Sequence, residues 1–129
     1  MFGHSWGGYA VCAVLALRKN IAACASIAPL NDGYTMPVEK ASQYAGNLSK
    51  ISQPFMTVYQ KYLFRDYTNH NGVRGINESN IPVLIAHGID DKIITFNGQS
   101  IVSHYDKITN PNVSYYIGKG LHGDHTEIL

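Results

Sequence analysis

The fold is decided by the stretch Gly-His-Ser-Trp-Gly-Gly at residues 3–8, close to the start of the chain. The pattern Gly-x-Ser-x-Gly is typical of an elbow, a sharp turn from a strand into a helix that lifts the serine to the end of a sheet. Residues 9–17 follow at once as an apolar run of good helix formers, which is the context that such an elbow requires. Ser5 is therefore predicted to be a nucleophile rather than an ordinary helix-capping serine.

The elbow also assigns roles to the neighbours of Ser5. Gly3 and Gly7 stand two residues before and after the serine, where we expect a side chain to collide as the strand turns into the helix. The backbone N–H of Trp6 is expected to donate one of the two hydrogen bonds that stabilise an oxyanion during acyl transfer. Together these residues predict a site for acyl chemistry, which also needs a base and an acid from elsewhere in the chain.

Strand and helix patterns alternate along the chain, which indicates an α/β fold with a mostly parallel sheet. Three apolar runs have the composition of covered parallel strands: Ile21–Ala28, Ile81–Gly88 and Val113–Ile117. The spacing of apolar residues predicts a surface helix over Phe96–Ile108. Asp124, followed by Glu127 three residues later, has the pattern of a capping box and predicts the start of a terminal helix.

Residues 31–80 interrupt this alternation and are predicted to form a helical cap inserted between two strands. Within the insertion, Ser52 is predicted to cap a helix that has Pro54 in its first turn. Its aromatic residues are candidates for covering a substrate pocket: Tyr34, Phe55 and Tyr59. The alternative is that the aromatic stripe of this helix simply packs on the sheet.

The composition excludes several classes of function. The chain has 129 residues, of which 45% are hydrophobic and 15% charged, and its formal charge is +1. A near-neutral chain without a basic stripe is not expected to bind nucleic acid or an anionic membrane. No apolar run approaches the roughly 18 residues of a membrane-spanning helix. Cys12 and Cys24 lack metal-ligand spacing and are predicted to be buried thiols.

Two further stretches supply candidates for the acid and the base. They are His-Gly-Ile-Asp-Asp-Lys-Ile-Ile at residues 87–94 and Gly-Lys-Gly-Leu-His-Gly at residues 118–123. Taken with residues 3–8, they give the order nucleophile, acid and histidine, and in these motifs the chain resembles the α/β-hydrolase family. The resemblance implies that Asp91 is the triad acid and that His122 is the triad histidine.

Each of these two assignments has a competitor. Asp90 adjoins Asp91 and is expected to cap the loop or the helix start, while Asp32 also follows a strand end, where some members of the family place the acid. His125 competes with His122, but it falls in the first turn of the predicted terminal helix and is expected to be solvated. The other histidines are expected to have structural roles: His4, His70, His87 and His104.

The resemblance covers nearly the whole chain but only the second half of the family's fold. It implies a three-layer α/β-hydrolase sheet, mostly parallel and truncated to the elbow and the last three strands, so that residues 1–129 form a partial domain with a cap at 31–80. The loop that supplies the second oxyanion donor in the family is missing from these residues. Impaired activity and poor solubility of the chain alone are therefore expected.

The predicted function is that of a serine hydrolase cleaving carboxylic esters of small or medium apolar acyl groups through an acyl-enzyme. One alternative is a serine aminopeptidase, which would bind the substrate amine through an acidic residue of the cap: Glu39, Asp66 or Glu78. Another is a non-catalytic fragment that acts as an interaction module. The expected partner is a small ester or a short peptide, and no cofactor or metal is implied.

The sequence constrains the location and assembly of the protein only weakly. No signal peptide precedes the motif, which favours the cytoplasm, although a chain that begins at an elbow can lack its natural N-terminus. No pattern in the chain predicts an oligomeric state.

Overall fold

Four parallel strands form the centre of the molecule, in a computed structural model that describes residues 1–33 and 46–128. The strands are β1 (Phe2–His4), β2 (Cys24–Ile27), β3 (Val83–Gly88) and β4 (Val113–Gly118). Their order in the sheet is their order in the chain, and every neighbouring pair is parallel. The α/β class and the parallel sheet predicted from the sequence are confirmed.

Helices connect the strands. α1 (Trp6–Ala13) follows β1 almost directly, and α2 (Asn47–Phe64) and α3 (Gly72–Asn77) lie between β2 and β3 in the chain. Short 3-10 segments occur at Val14–Ala16, Arg65–Asn69, Val102–Lys107 and Gly120–His122. Among the described residues, no helix combines the length with the apolar character that a membrane crossing requires.

The main core lies between one face of the sheet and the helices α1 and α3. Its buried residues are Val11, Cys12, Leu15, Cys24, Ile76, Val83, Ile85, Ile101 and Val102. Two glycines permit close approach within it. A Cβ on Gly75 of α3 would collide with the backbone carbonyl of Cys12 in α1. A Cβ on Gly8 of α1 would lie 2.9 Å from the Ser26 hydroxyl of β2, so the start of α1 is held close to the sheet.

The opposite face of the sheet is more exposed. The strand register places Phe2 and Leu84 in one row on this face, and their exposed fractions are 67% and 42%. Toward the carboxyl ends of the strands, Ile128 forms a small buried cluster with Ile27 and Ala86. The described residues therefore cover this face only at the end where the elbow lies.

Three predicted features differ from the structure. Within Phe96–Ile108 there is only the short 3-10 segment that begins at Val102, and no helix begins at Asp124. α2 is present, but it begins at Asn47, before the predicted cap, so that Pro54 lies inside the helix rather than in its first turn. A proline at that position has no N–H to donate to the preceding turn.

Candidate active site

Ser5 stands at the junction of β1 and α1 in a backbone conformation that is rare for a residue with a side chain. Its φ is 57° and its ψ is −120°. Two backbone hydrogen bonds hold it there: the Ser5 N–H donates to the carbonyl of Ile27 at 2.8 Å, and the Ser5 carbonyl accepts the N–H of Tyr9 at 3.0 Å. Conformations of this kind cost about 1–3 kcal/mol and persist only where the surroundings enforce them. The sequence motif therefore does form a sharp, strained turn at Ser5.

The turn is crowded at Gly3 but not at Gly7. A Cβ on Gly3 would collide with the backbone carbonyl of Gly7, whereas a Cβ on Gly7 would have no atom within 4 Å. The expectation that a side chain would collide at both positions is corrected for Gly7, because α1 meets the strand through the backbone of that residue. The second crowded glycine of the motif is Gly8, which packs on β2.

Trp6 is the first residue of α1 and directly follows Ser5. The first N–H groups of a helix have no acceptor within the helix, so the Trp6 N–H is available at the position where an oxyanion donor is expected. Its indole packs edge-on against Tyr9, with 6.3 Å between the ring centroids, and is 45% exposed. Trp6 thus presents an N–H group and an apolar surface beside Ser5.

Asp91 lies in the loop after β3, and its carboxylate is buried with both oxygens bound. Oδ1 accepts the backbone N–H groups of Ile93 and Ile94, each at 2.8 Å. Oδ2 lies 2.7 Å from Nδ1 of His125. Three hydrogen bonds therefore fix the orientation of this carboxylate.

The histidine that forms a hydrogen bond with Asp91 is His125, not His122. His125 is buried, while His122 is exposed and its Nδ1 lies 3.0 Å from the carbonyl oxygen of Glu127, to which it donates. Because an ionised carboxylate only accepts, Nδ1 of His125 donates this hydrogen bond, and Nε2 is the ring nitrogen that does not bind Asp91. The assignment of His122 from the sequence is thus not supported by this geometry, and the expectation of a solvated His125 is corrected.

Contacts between the loop after β3 and the loop after β4 explain why His125, and not His122, lies against Asp91. The Asp90 N–H donates to the carbonyl of Gly123 at 2.9 Å, and a Cβ on Gly88 would collide with the same carbonyl. Because Gly123 is held against the end of β3, the residues that follow it, rather than those that precede it, run past the Asp91 loop. This contact is made between distant parts of the chain, so the sequence around His122 carried no signal that would have selected His125.

No protein-family model matches this chain, and no curated protein matches it. Solved structures do match it. An esterase of Pyrococcus furiosus superimposes on 98% of the chain with a TM-score of 0.61 and 16% sequence identity. The chain has the α/β-hydrolase fold.

Two other proteins with this fold also match the chain. An acylaminoacyl peptidase of Pyrococcus horikoshii covers 97% of the chain with a TM-score of 0.60 and 17% identity. A monoacylglycerol lipase of Paleococcus ferrophilus covers 96% with a TM-score of 0.57 and 14% identity. The chain spans only 44% of the esterase, 19% of the peptidase and 58% of the lipase.

His87 is buried in β3, next to the carboxylate of Asp91. Its Nε2 lies 2.9 Å from the carbonyl of Ile94, to which it donates, and 3.5 Å from Oδ2 of Asp91. Its Nδ1 is buried with no hydrogen-bond partner. Burial lowers the pKa of His87 below its ordinary value of 6.5, although the hydrogen bond to Ile94 and the charge of Asp91 act in the opposite direction. At neutral pH His87 is therefore a neutral donor.

The remaining candidates are Asp32 and the aromatic residues of the predicted cap. Burial, and secondarily the charge of Asp32, raise the pKa of Tyr9 in α1. Phe55 and Tyr59 are 74% and 58% exposed on α2, and Tyr34 lies outside the described residues. Within 1–33 and 46–128, no group of three His, Cys, Asp or Glu side chains is arranged to hold a metal ion.

Proposed function

We propose that this chain belongs to a serine hydrolase in which Ser5 is the nucleophile, His125 the general base and Asp91 the acid that orients the base. One observation carries the proposal: a buried hydrogen bond of 2.7 Å joins Asp91 to His125, in a sheet whose first strand is followed directly by a strained serine. A buried carboxylate that fixes the tautomer of a histidine is what activates a serine hydroxyl. His125 takes the role that the sequence had assigned to His122.

The proposed reaction proceeds through an acyl-enzyme. Nε2 of His125 takes the proton of the Ser5 hydroxyl while Oγ attacks the acyl carbon, and the carbonyl π electrons move to the oxygen. The Trp6 N–H stabilises that oxyanion. The imidazolium then gives its proton to the departing alcohol as the C–O bond breaks, and water repeats the sequence to release the acid. Asp91 stays ionised throughout and stabilises the imidazolium.

The proposed substrates are carboxylic esters with a small or medium apolar acyl group. Support comes from the esterase and lipase that share the fold, and from the exposed indole of Trp6 beside Ser5. A peptidase also shares the fold, but the described residues give little support to a cap that binds the substrate amine. Glu78 is exposed and paired with Arg74 at 2.6 Å, Glu39 lies outside the described residues, and the side chain of Asp66 is not described.

A covalent probe reports on the activation of Ser5 directly and does not depend on completed turnover. It therefore tests the roles proposed for Ser5, His125 and Asp91 more directly than an assay of product release.

The test is labelling with a fluorophosphonate, which reacts with activated serines, followed by mass spectrometry of the labelled peptide. We expect the label on Ser5, none in Ser5→Ala, and a labelling rate at least about 10³-fold lower in His125→Gln. His122→Gln is the matched control and should label at close to the native rate, because His122 does not touch Asp91.

Two results would contradict the proposal. If the near-ultraviolet circular dichroism shows that the chain is folded and Ser5 still takes no label, the chain is a non-catalytic module. Loss of labelling in His122→Gln with retention in His125→Gln would return the role of base to His122. Comparing p-nitrophenyl acetate with an aminoacyl p-nitroanilide then separates an esterase from an aminopeptidase.

A further inference from the structure

His4 links the nucleophile to the proposed base, since it adjoins Ser5 in the chain and hydrogen-bonds to the backbone of His125. It is the last residue of β1 and directly precedes Ser5. The strand register pairs it with Ile27, which in turn pairs with Ala86, and both of these residues form the small cluster on the face opposite α1. The side chain of His4 therefore lies on the face of the sheet where the residues after Gly123 pack.

On that face His4 contacts the backbone and the ring of His125. Nε2 of His4 lies 2.9 Å from the carbonyl oxygen of His125, and the two ring centroids are 4.8 Å apart with the planes tilted by 54°. A carbonyl oxygen only accepts, so Nε2 of His4 carries the proton and donates it. The hydrogen bond spans 121 residues of sequence, and so it joins the end of β1 to the loop that carries His125.

His125 is thereby held at three points. Its ring is bound by Asp91, its N–H donates to Oδ1 of Asp124 at 2.7 Å, and its carbonyl accepts from His4. A cavity of about 250 Å³, lined in part by Phe2, His4 and His125, lies beside the last of these contacts. Packing around this side of the loop is therefore open, and the hydrogen bond from His4 carries more of the restraint than it would in a filled core.

We infer that His4 is a positioning residue, whose hydrogen bond to the His125 backbone sets the distance between the Ser5 hydroxyl and the His125 imidazole. The inference rests on the proposed function and deepens it. One end of the link is fixed by the covalent bond between His4 and Ser5, and the other by the residue that carries the base. Proton transfer needs both groups within hydrogen-bond reach, and a displacement of about 1 Å can cost about 10²-fold in rate.

Two substitutions separate the hydrogen bond from the volume of the ring. His4→Phe keeps an aromatic ring against His125 but removes the donor. His4→Gln removes the ring but can place an amide N–H near the position of Nε2. A positioning role predicts that fluorophosphonate labelling of Ser5 falls about 10- to 100-fold in His4→Phe and returns to within about threefold of native in His4→Gln.

A spectroscopic readout makes the test independent of activity. The proton on Nδ1 of His125, bound to Asp91, should give a low-field imidazole resonance in the native chain and in His4→Gln, and a shifted or broadened one in His4→Phe. Urea unfolding of all three proteins confirms that each is compared in its folded form.

Each outcome decides the inference. Equal labelling in His4→Phe and the native chain would overturn it, as would an equal loss in both variants, since the effect would then lie in the ring and not in the donor. If the native chain takes no label, the proposed function fails. The imidazole resonance then decides alone: a signal unchanged in His4→Phe overturns the positioning role, and one lost there but kept in His4→Gln supports it.

Discussion

At the scale of single residues, His87 is the group whose protonation the fold constrains most clearly. It is fully buried, its Nε2–H donates to the carbonyl of Ile94, and its Nδ1 has no hydrogen-bond partner. Burial lowers its pKa, as described above, which means that the folded protein resists adding a proton that the unfolded chain accepts near pH 6.5. A cation here would also lie close to the proposed imidazolium of His125 during catalysis.

This constraint predicts a dependence of folding stability on pH. The unfolded chain binds more protons than the folded one once the pH falls below about 6.5. The contribution of neutral His87 is therefore fully present above that value and is lost progressively as the pH falls toward the lowered pKa of the folded state. We expect the free energy of unfolding to decrease between about pH 7.5 and pH 5 more steeply in the native chain than in His87→Gln.

Urea unfolding at both pH values measures this difference, and groups common to both proteins cancel in it. Glutamine suits the comparison because it keeps an N–H donor for Ile94 and does not titrate. Identical pH slopes for the two proteins would show that His87 gains or loses no proton on folding.

Ser5 and Asp91 were proposed from local motifs, whereas the histidine that lies beside Asp91 depends on a distant contact. Ser5 and Asp91 stand in short motifs whose turns are set by neighbouring residues, and the structure puts them at a strained elbow and in a buried acid–histidine pair. The partner of Asp91 depends instead on how Gly123 packs against β3. No local pattern contains that contact, so His122 and His125 could not be separated by their immediate surroundings.

At the scale of elements, β1 and α1 meet so closely at the elbow that there is no room for a side chain at Gly3. The helix leaves the strand so sharply that the carbonyl of Gly7 occupies the space where a Cβ of Gly3 would lie. We expect Gly3→Ala to destabilise the chain by about 1–3 kcal/mol, because backbone on both sides would have to shift. The same shift would move Ser5 and slow its labelling.

Gly7→Ala is the matched control for this prediction. Its Cβ enters open space in the first turns of a helix, where alanine is favoured over glycine by up to about 1 kcal/mol. Its stability in urea should equal or exceed that of the native chain, and its labelling should be preserved. If both alanine variants lose stability equally, the crowding is not specific to Gly3.

The segment Phe96–Ile108 shows why a helical pattern did not become a helix. The Asn31 N–H donates to the carbonyl of Gln99 at 2.8 Å, and the Ile101 N–H donates to the carbonyl of Pro29 at 3.1 Å. Backbone groups that bind the chain leaving β2 cannot also bond along a helix. Ile101 and Val102 of this segment are buried while Tyr105 is exposed, so tertiary pairing and not the apolar spacing decided the backbone.

At the scale of the whole molecule, the two faces of the sheet differ in how they are covered. α1 and α3 bury one face in the main core, while a depression of about 350 Å³ lies over Ala25 and Leu84 on the other. Phe2 stands next to this depression in the same row of the sheet. An apolar surface of this kind drives association of a protein in water, and β1 adds a strand edge with no neighbour among the described residues.

The exposed face leads to a prediction about self-association. We expect the chain to form oligomers in sedimentation velocity, and we expect the double variant Phe2→Gln, Leu84→Gln to shift it toward the monomer. Each side chain contributes on the order of 1–2 kcal/mol when buried in a contact, so the association constant should fall at least about tenfold. The matched control is Leu17→Gln, Tyr105→Gln, which removes two residues that are 52% and 69% exposed away from this face. If both double variants reduce association equally, general hydrophobicity and not this face drives it.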